Sequence, residues 1–188
     1  RLMDFRVNQD HGLHFIYLLP LDNNHLLVES TVFSKFVLEP SWYESQISTY
    51  IDKYLDIEKY EIIDIEKGVL PMFEVRSHDK DNYIHIGAKG GATKISSGYA
   101  FSFFIKQLMT KDKVYHSYWD KLMDKIFVKY LEDNDKSDEI FIKMAGILNG
   151  EEFGSFMMGN SKLSTKFKTI FAMPKIGFIK SYLKTVLN

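Results

Sequence analysis

The feature that most constrains the fold is a change in the spacing of apolar residues along the chain. The first 33 residues alternate apolar and polar positions in three segments bounded by turn residues, which predicts β-strands. Beyond residue 99 the apolar spacing is helical. Strands followed by helices predict an α+β arrangement. The predicted strands are residues 2–7, 13–20 and 25–33, with an Asx-rich turn at 21–24.

Further elements follow from local signals. Ser41 and Glu44 form a capping-box pattern, which predicts a helix from Ser41 to about Leu55. Other segments are assigned from their spacing alone. The alternating residues 60–70 and 83–86 predict strands, and residues 99–110 predict a helix. The remainder is helical by pattern, with breaks expected at 133–137, 150–159 and Pro174.

Composition narrows the classes of protein. Of 188 residues, 45% are hydrophobic and 26% are charged, which is typical of globular domains rather than disordered chains. The absence of cysteine excludes disulfides, thiolate metal sites and cysteine nucleophiles. The six histidines lack the spacing of metal ligands, so no metal site is predicted.

Charge is distributed unevenly. No acidic residue follows Glu152, but six lysines do, so residues 153–188 carry +6 while the preceding residues carry −7. On a helix beginning at Lys175, the apolar residues share one face, flanked by Lys180 and Lys184. Such a helix suits an anionic membrane surface, and it equally suits packing on a protein core. Nucleic acid is not an expected partner, because the single basic patch has no interleaved aromatic residues.

A glycine-rich segment follows the predicted strand 83–86. Its glycines permit close approach of a ligand to the backbone, and Ser96 and Ser97 suit the N-cap of the following helix. The amino-terminal end of that helix would favour a phosphate or an anionic ring edge. The spacing matches neither the dinucleotide fingerprint nor the P-loop, so a connection without a ligand remains the alternative.

Glu29 is the candidate acid. It lies in the middle of the third predicted strand, among apolar residues. A carboxylate in an apolar setting retains its proton more readily, as acid catalysis on a hydrocarbon requires. The pattern alone also fits an outward-facing glutamate on a half-exposed strand.

Five ordered segments resemble a known family. They are MDFRVNQ (3–9), FIYLLPL (15–21), LLVESTVFS (26–34), GVLPM (68–72) and IGAKGGATKISSGYAF (86–101). On these segments, the chain resembles the carboxyl-terminal half of flavin-dependent lycopene cyclases. The strand-like opening RLMDFRV agrees with the expectation that a longer protein precedes Arg1.

The resemblance implies an α+β fragment of an α/β flavoprotein-monooxygenase-like fold. Residues 1–82 would form the substrate-binding β-sheet region. Residues 83–110 would return to the FAD domain as its closing strand, glycine loop and helix. Residues 111–188 would form a helical, membrane-facing region.

The resemblance also implies a chemistry. Glu29 matches the family's essential acidic residue and would protonate lycopene or a related linear carotene, so that β-rings form without net redox change. Reduced FAD would be the cofactor and NAD(P)H its reductant. The implied cofactor contacts are Gly87, Gly90, Gly91, Ala92, Thr93, Gly98 and Tyr99.

Further expectations concern location and completeness. The protein would be peripheral, on the cytoplasmic side of the membrane. The family's GxGxxG fingerprint is expected upstream of Arg1, so this chain alone is expected to be inactive. Ile95 stands where the family usually has proline, which would loosen the loop.

Two other functions remain open at this point. One is a different FAD-dependent oxidoreductase on the same scaffold, such as an isoprenoid reductase or a hydroxylase. The other is a non-catalytic module that binds lipid surfaces through its basic tail, residues 153–188.

Overall fold

A computed structural model describes residues 3–75, 85–110, 116–134 and 138–187. The chain divides into two compact units, the first formed by Arg1–Gly68 with Asn134–Asp138 and the second by Val69–Asp133 with Glu139–Asn188. Within the described residues, two strands and seven helices confirm the α+β class. The three-part division at residues 82 and 110 stays a prediction.

The sheet of the first unit is an antiparallel hairpin. Strand β1 (Leu13–Pro20) pairs with β2 (Leu26–Phe33), in a register that places Tyr17 opposite Glu29. In the connecting turn, Asp22 Oδ1 accepts hydrogen bonds from the backbone N–H groups of Asn24 and His25, each 2.8 Å long. Both strands and the Asx turn are therefore as predicted.

The predicted first strand is wrong for the residues that the structure describes. Only Asp4 pairs with the sheet, as an isolated bridge to Ile16. The Asp4 carboxylate accepts a hydrogen bond from the Arg6 backbone N–H at 3.2 Å and binds the Arg6 side chain at 2.6 Å. These local bonds compete with ladder pairing, and the segment leaves the sheet after one bridge.

Helix α1 (Pro40–Tyr54) covers one face of the hairpin. Tyr50 is fully buried against Ile16 and Leu18, and its hydroxyl donates to Asp4 Oδ2 at 2.6 Å. A two-stranded hairpin is marginal alone, so this packing stabilises the first unit.

The predicted capping box of α1 is wrong. The N-cap is Glu39, whose side chain makes no capping hydrogen bond, and Ser41 lies inside the helix. Pro40 explains the earlier start, since proline is preorganised for the first helical position.

Residues 60–70 do not form the predicted strand. They are irregular, and Ile62, Ile63 and Ile65 are exposed. The alternation of apolar and polar residues was not enough to form a strand here, because no described strand offers these residues a ladder of backbone hydrogen bonds.

The second unit is helical. Its helices are α2 (Phe101–Thr110), α3 (Tyr118–Asp133), α4 (Asp138–Ile147), α5 (Gly150–Met157), α6 (Leu163–Ala172) and α7 (Lys175–Leu187). The expected break at 150–159 is wrong in its first part, since α5 begins at Gly150. There Asn149 and Glu152 form a capping box, which was not predicted from the sequence. None of the described helices is long and apolar enough to cross a membrane.

Helices α3 and α7 pack closely because of one glycine. Tyr130 of α3 stacks on Phe178 of α7, with 4.5 Å between ring centroids and 14° between the planes. A Cβ atom on the adjacent Gly177 would lie 2.5 Å from the Tyr130 ring. Gly177 is therefore needed for this approach.

We expect Gly177→Ala to lower the free energy of unfolding by about 1–3 kcal/mol, because the added methyl overpacks the α3–α7 contact. The matched control is Gly146→Ala in α4, where an added Cβ meets nothing within 4 Å. The control should be neutral or stabilising by up to about 1 kcal/mol, because alanine favours helix. Urea unfolding of both variants checks this, and equal effects would contradict it.

Candidate functional site

The glycine segment folds into two consecutive tight turns. In the first, the N–H groups of Gly90 and Ala92 both donate to the carbonyl of Gly87 at 3.0 Å. In the second, the N–H of Gly98 donates to the Lys94 carbonyl at 2.8 Å. Gly87, Gly91 and Gly98 have φ between 66° and 76°, a region that strongly favours glycine. The sequence thus determines this loop through its glycines.

A glutamine side chain holds the first turn. Gln107 of α2 is 2% exposed, and its Oε1 accepts from the Gly87 N–H at 2.8 Å. Its Nε2 donates to the Gly90 carbonyl at 3.0 Å. Both amide functions are satisfied, so the turn is fixed to helix α2.

A buried ion pair holds the second turn. Lys94 Nζ binds Asp124 Oδ1 of α3, and both side chains are only 8% exposed. Ser96 Oγ donates to the same carboxylate oxygen at 2.7 Å. The two bonds tie the loop to α3.

The expected capping role of Ser96 and Ser97 is wrong. Helix α2 begins at Phe101, and its first turn is closed by the hydrogen bond from Phe104 N–H to the Ala100 carbonyl, 2.8 Å long. Ser96 is engaged by Asp124 instead. Neither serine caps α2, so the prediction that the glycine segment leads directly into the amino-terminal end of this helix is wrong.

A cavity of about 130 Å³ opens beside the loop. It is lined by Phe73, Glu74, Val75, Ala88, Gly90, Gly91, Thr93, Ile95, His116, Lys121, Asp124 and Lys125. Three of the predicted cofactor contacts, Gly90, Gly91 and Thr93, are thereby brought together in its wall. Ala92 is fully buried within the same turn.

Tyr99 lies at the other end of the loop. Its carbonyl accepts from the Lys94 N–H at 2.7 Å, and its ring packs edge-on against Phe103. Gly98, the preceding residue, supplies the positive φ that this turn requires. Among the residues of the predicted strand 83–86, Tyr83 and Ile84 lie outside the described residues, and His85 and Ile86 are irregular.

Two residues that line the cavity each carry one fully buried polar atom without a hydrogen-bond partner among the described residues, Thr93 Oγ1 and His116 Nε2. Burial lowers the pKa of His116 below its ordinary value, an effect only partly offset by the charge of Asp124 and by a backbone hydrogen bond with Ala92. Burial therefore favours the neutral form of the His116 ring.

The rim of the cavity is charged and internally paired. Glu74 binds Lys121 at 2.9 Å and Lys125 at 3.2 Å. Hydrogen bonds from these two lysines lower the pKa of Glu74. The two rim lysines thus share a single carboxylate, and the group of three keeps a net charge of +1.

Glu29 lies on β2 in the first unit and is exposed. Thr31 Oγ1 donates to its Oε1 at 2.7 Å. The opposite residue, Tyr17, has a raised pKa, mainly because of its burial and secondly because of the Glu29 charge. The apolar enclosure expected around Glu29 is not provided by the described residues.

Aromatic side chains lie on the same sheet face as Glu29. Alternation and register place Phe15, Tyr17 and Phe33 on this face. Phe15 contacts Tyr17 at 5.1 Å and Phe33 at 5.7 Å between ring centroids, both edge-on. The face thus combines one carboxylate with a cluster of rings.

Sequence reasoning missed three residues of the loop site: Gln107, His116 and Asp124. Gln107 and Asp124 lie on helices whose patterns look ordinary, and His116 has no motif around it. The one available signal for Asp124 was Lys94, a cation in a glycine loop that requires a partner if buried.

Comparison with known proteins identifies the family. The family model described as lycopene cyclase protein matches residues 1–114, which include both β2 and the glycine loop. The chain belongs to the lycopene cyclase family, a family of carotenoid cyclases. Searches of curated proteins and of solved structures gave no match.

We expect Asp124→Asn to lower the free energy of unfolding by about 3–5 kcal/mol, because it leaves the Lys94 charge buried without a counter-charge. The matched control is Asp120→Asn on the same helix, whose partner Lys166 is more exposed. The control should lose less than half as much. Chemical unfolding monitored by circular dichroism measures both, and equal losses would contradict the role assigned to burial.

Proposed function

We propose that the protein forms β-rings in carotenoid biosynthesis, by acid-initiated, non-redox cyclisation of the linear ends of lycopene with reduced FAD. The observation that carries this proposal is the family match, because residues 1–114 contain both Glu29 and the glycine loop. The proposal includes a flavoprotein-monooxygenase-like architecture for the whole protein.

Glu29 is the proposed acid. As a carboxylic acid it donates a proton to the terminal double bond of the carotene, and an internal double bond attacks the resulting cation. Loss of a neighbouring proton leaves the ring, so one proton is added, one is lost and no electrons are transferred. A carotene lying on this sheet face would exclude water from Glu29, which favours the protonated form needed for the first step.

The surroundings of Glu29 support this chemistry. The hydrogen bond from Thr31 fixes the orientation of the carboxyl group. Tyr17 and Phe33 are partly exposed on this face and offer apolar contact to a hydrocarbon, while Phe15 is buried beside them. The faces of aromatic rings also attract a cation. Neither the orientation of the Glu29 carboxyl group nor the attraction of the rings for a cation requires a second charged group beside the substrate.

The loop site fits part of a flavin. The cavity of about 130 Å³ is smaller than a whole dinucleotide, but its wall includes Gly90 and Gly91, where the backbone is open to close approach of a ligand. Gly90, Gly91 and Thr93 would hold the cofactor there, with Gly87, Ala92, Gly98 and Tyr99 shaping the loop. When bound, reduced FAD would supply an electron-rich ring that stabilises a cation, with NAD(P)H as its reductant.

The surface of α6 and α7 supports a peripheral position at a membrane, and the proposal places it on the cytoplasmic side. Apolar side chains of α6 and α7 are exposed, among them Phe171 at 70% and Ile176 at 74%. Lys162, Lys175 and Lys180 make no ion pair within the described residues. Exposed apolar groups beside free lysines suit an anionic lipid surface, where the substrate is dissolved.

We expect Glu29→Gln to reduce cyclisation by about 100-fold or more, because the amide has no proton to donate in acid catalysis. The complete gene is expressed in lycopene-accumulating cells, and β-ring products are quantified by chromatography. Glu66→Gln, an exposed glutamate in the same unit, should retain activity.

Retained cyclisation in Glu29→Gln would overturn the acid assignment. A product of altered mass, formed with stoichiometric NAD(P)H consumption, would favour an isoprenoid reductase or hydroxylase instead. Lipid binding without any conversion of lycopene would favour the lipid-surface module.

We expect the protein to sediment with phosphatidylglycerol vesicles, and replacement of Lys162, Lys175 and Lys180 by glutamine to weaken binding by about 100-fold, since each lysine contributes about 1 kcal/mol at an anionic surface. The control replaces the exposed Lys35, Lys59 and Lys143 and should bind normally. Wild-type binding should fall as salt rises. Salt-insensitive binding, or equal loss in both variants, would contradict the role of the tail.

A further inference from the structure

The carboxyl group of Glu29 has one side-chain partner among the described residues. Thr31 Oγ1 donates to its Oε1 at 2.7 Å, and no cationic side chain in the described part of the chain forms an ion pair with it. Alternate residues of a strand share a face, so the two side chains are neighbours on β2. The second carboxyl oxygen, Oε2, makes no hydrogen bond within the described residues.

The two oxygens of Glu29 therefore have different surroundings. A protonated carboxyl group has one oxygen that carries the proton and one that acts only as an acceptor. Donation from Thr31 favours Oε1 as the acceptor, and the proton then lies on Oε2. Oε2 is also the oxygen that is free to face a substrate.

Proton transfer changes the strength of the bond from Thr31. The O–H bond of Glu29 breaks and its electron pair stays on the carboxylate, while the proton forms a C–H bond with the terminal double bond of the carotene. A hydrogen bond to a charged acceptor is roughly twice as strong as one between neutral groups. The bond is thus stronger in the transition state than in the ground state, which is the condition for accelerating a step. Loss of a ring proton to water and uptake of one by Glu29 restore the acid.

The rest of this sheet face increases the importance of that bond. Tyr17 lies opposite Glu29, and no hydrogen bond joins their side chains among the described residues. Phe15, opposite Thr31, and Phe33 are apolar. A hydrocarbon covering the face would exclude water, and hydrogen bonds are electrostatically stronger at low dielectric. The Thr31 hydroxyl is then the group that compensates the new negative charge.

We propose that Thr31 is a positioning residue for the acid step, whose hydroxyl directs the Glu29 proton to Oε2 and stabilises the carboxylate that forms when this proton is transferred. The proposal rests on the proposed function in taking Glu29 as the acid. It assigns the effect to the hydroxyl of Thr31 rather than to its shape.

The test uses the complete protein with lycopene-containing vesicles and reduced FAD. Thr31→Val removes the hydroxyl but keeps the β-branched shape that suits a strand. It should lower kcat about tenfold and leave KM unchanged, because the lost interaction is made mainly in the transition state. Thr31→Ser keeps the hydroxyl and should stay close to wild type. The matched control is Thr49→Val, whose hydroxyl bonds the Ser45 carbonyl within α1, and it should retain kcat.

A second readout separates this role from a structural one. In heavy water the transferred proton is a deuteron, so the ratio of kcat in ordinary and heavy water reports on the transfer. This ratio should increase in Thr31→Val, because proton transfer becomes a slower part of the cycle. A variant that only folds less well would lower kcat and leave the ratio unchanged.

Unchanged kcat in Thr31→Val, a fall in kcat without a rise in the isotope ratio, or Thr31→Ser as slow as Thr31→Val would overturn the proposal. Each outcome is measured in a preparation where wild type cyclises lycopene and Glu29→Gln does not, so the cyclase proposal would stand. An inactive wild type or an active Glu29→Gln would instead reject the proposed function, and the role of Thr31 with it.

Discussion

The loop site depends on the buried ion pair between Lys94 and Asp124. A charge this far from water is tolerated only when a partner and further hydrogen bonds compensate it, and Ser96 completes that arrangement. The pair joins the second turn of the glycine loop to α3, while Gln107 joins the first turn to α2. The loop is thus fixed at both ends before any ligand is present, which lowers the ordering entropy that binding must overcome.

The two candidate sites differ in their exposure to water. Glu29, in the first unit, is exposed to water on a sheet face that also carries aromatic rings. Thr93 Oγ1 and His116 Nε2, in the second unit, are buried.

Much of the fold follows from local sequence signals. The hairpin was predictable because Leu13–Pro20 and Leu26–Phe33 alternate cleanly and an Asx turn joins them. Other predictions failed. Residues 60–70 alternate as a strand would, but no described strand pairs with them. Helix α1 begins at Pro40 rather than at the capping pattern of Ser41, because proline is favoured at the first helical position. In the loop, the glycine turns were predictable from the sequence, whereas the cofactor contacts assigned to these residues and to Thr93 stay a prediction. His116 and Asp124 were not predictable, because only the packing of α2 and α3 brings them to the loop.

The two hydrogen bonds of Gln107 have a consequence for the order of folding. Gly87 and Gly90 are satisfied by a side chain that acquires its position only when α2 is helical. The loop and the helix must therefore form and open together, as one cooperative segment of the second unit. In native-state hydrogen exchange, the Gly87 amide would then report on the melting of a helix in which it does not itself participate.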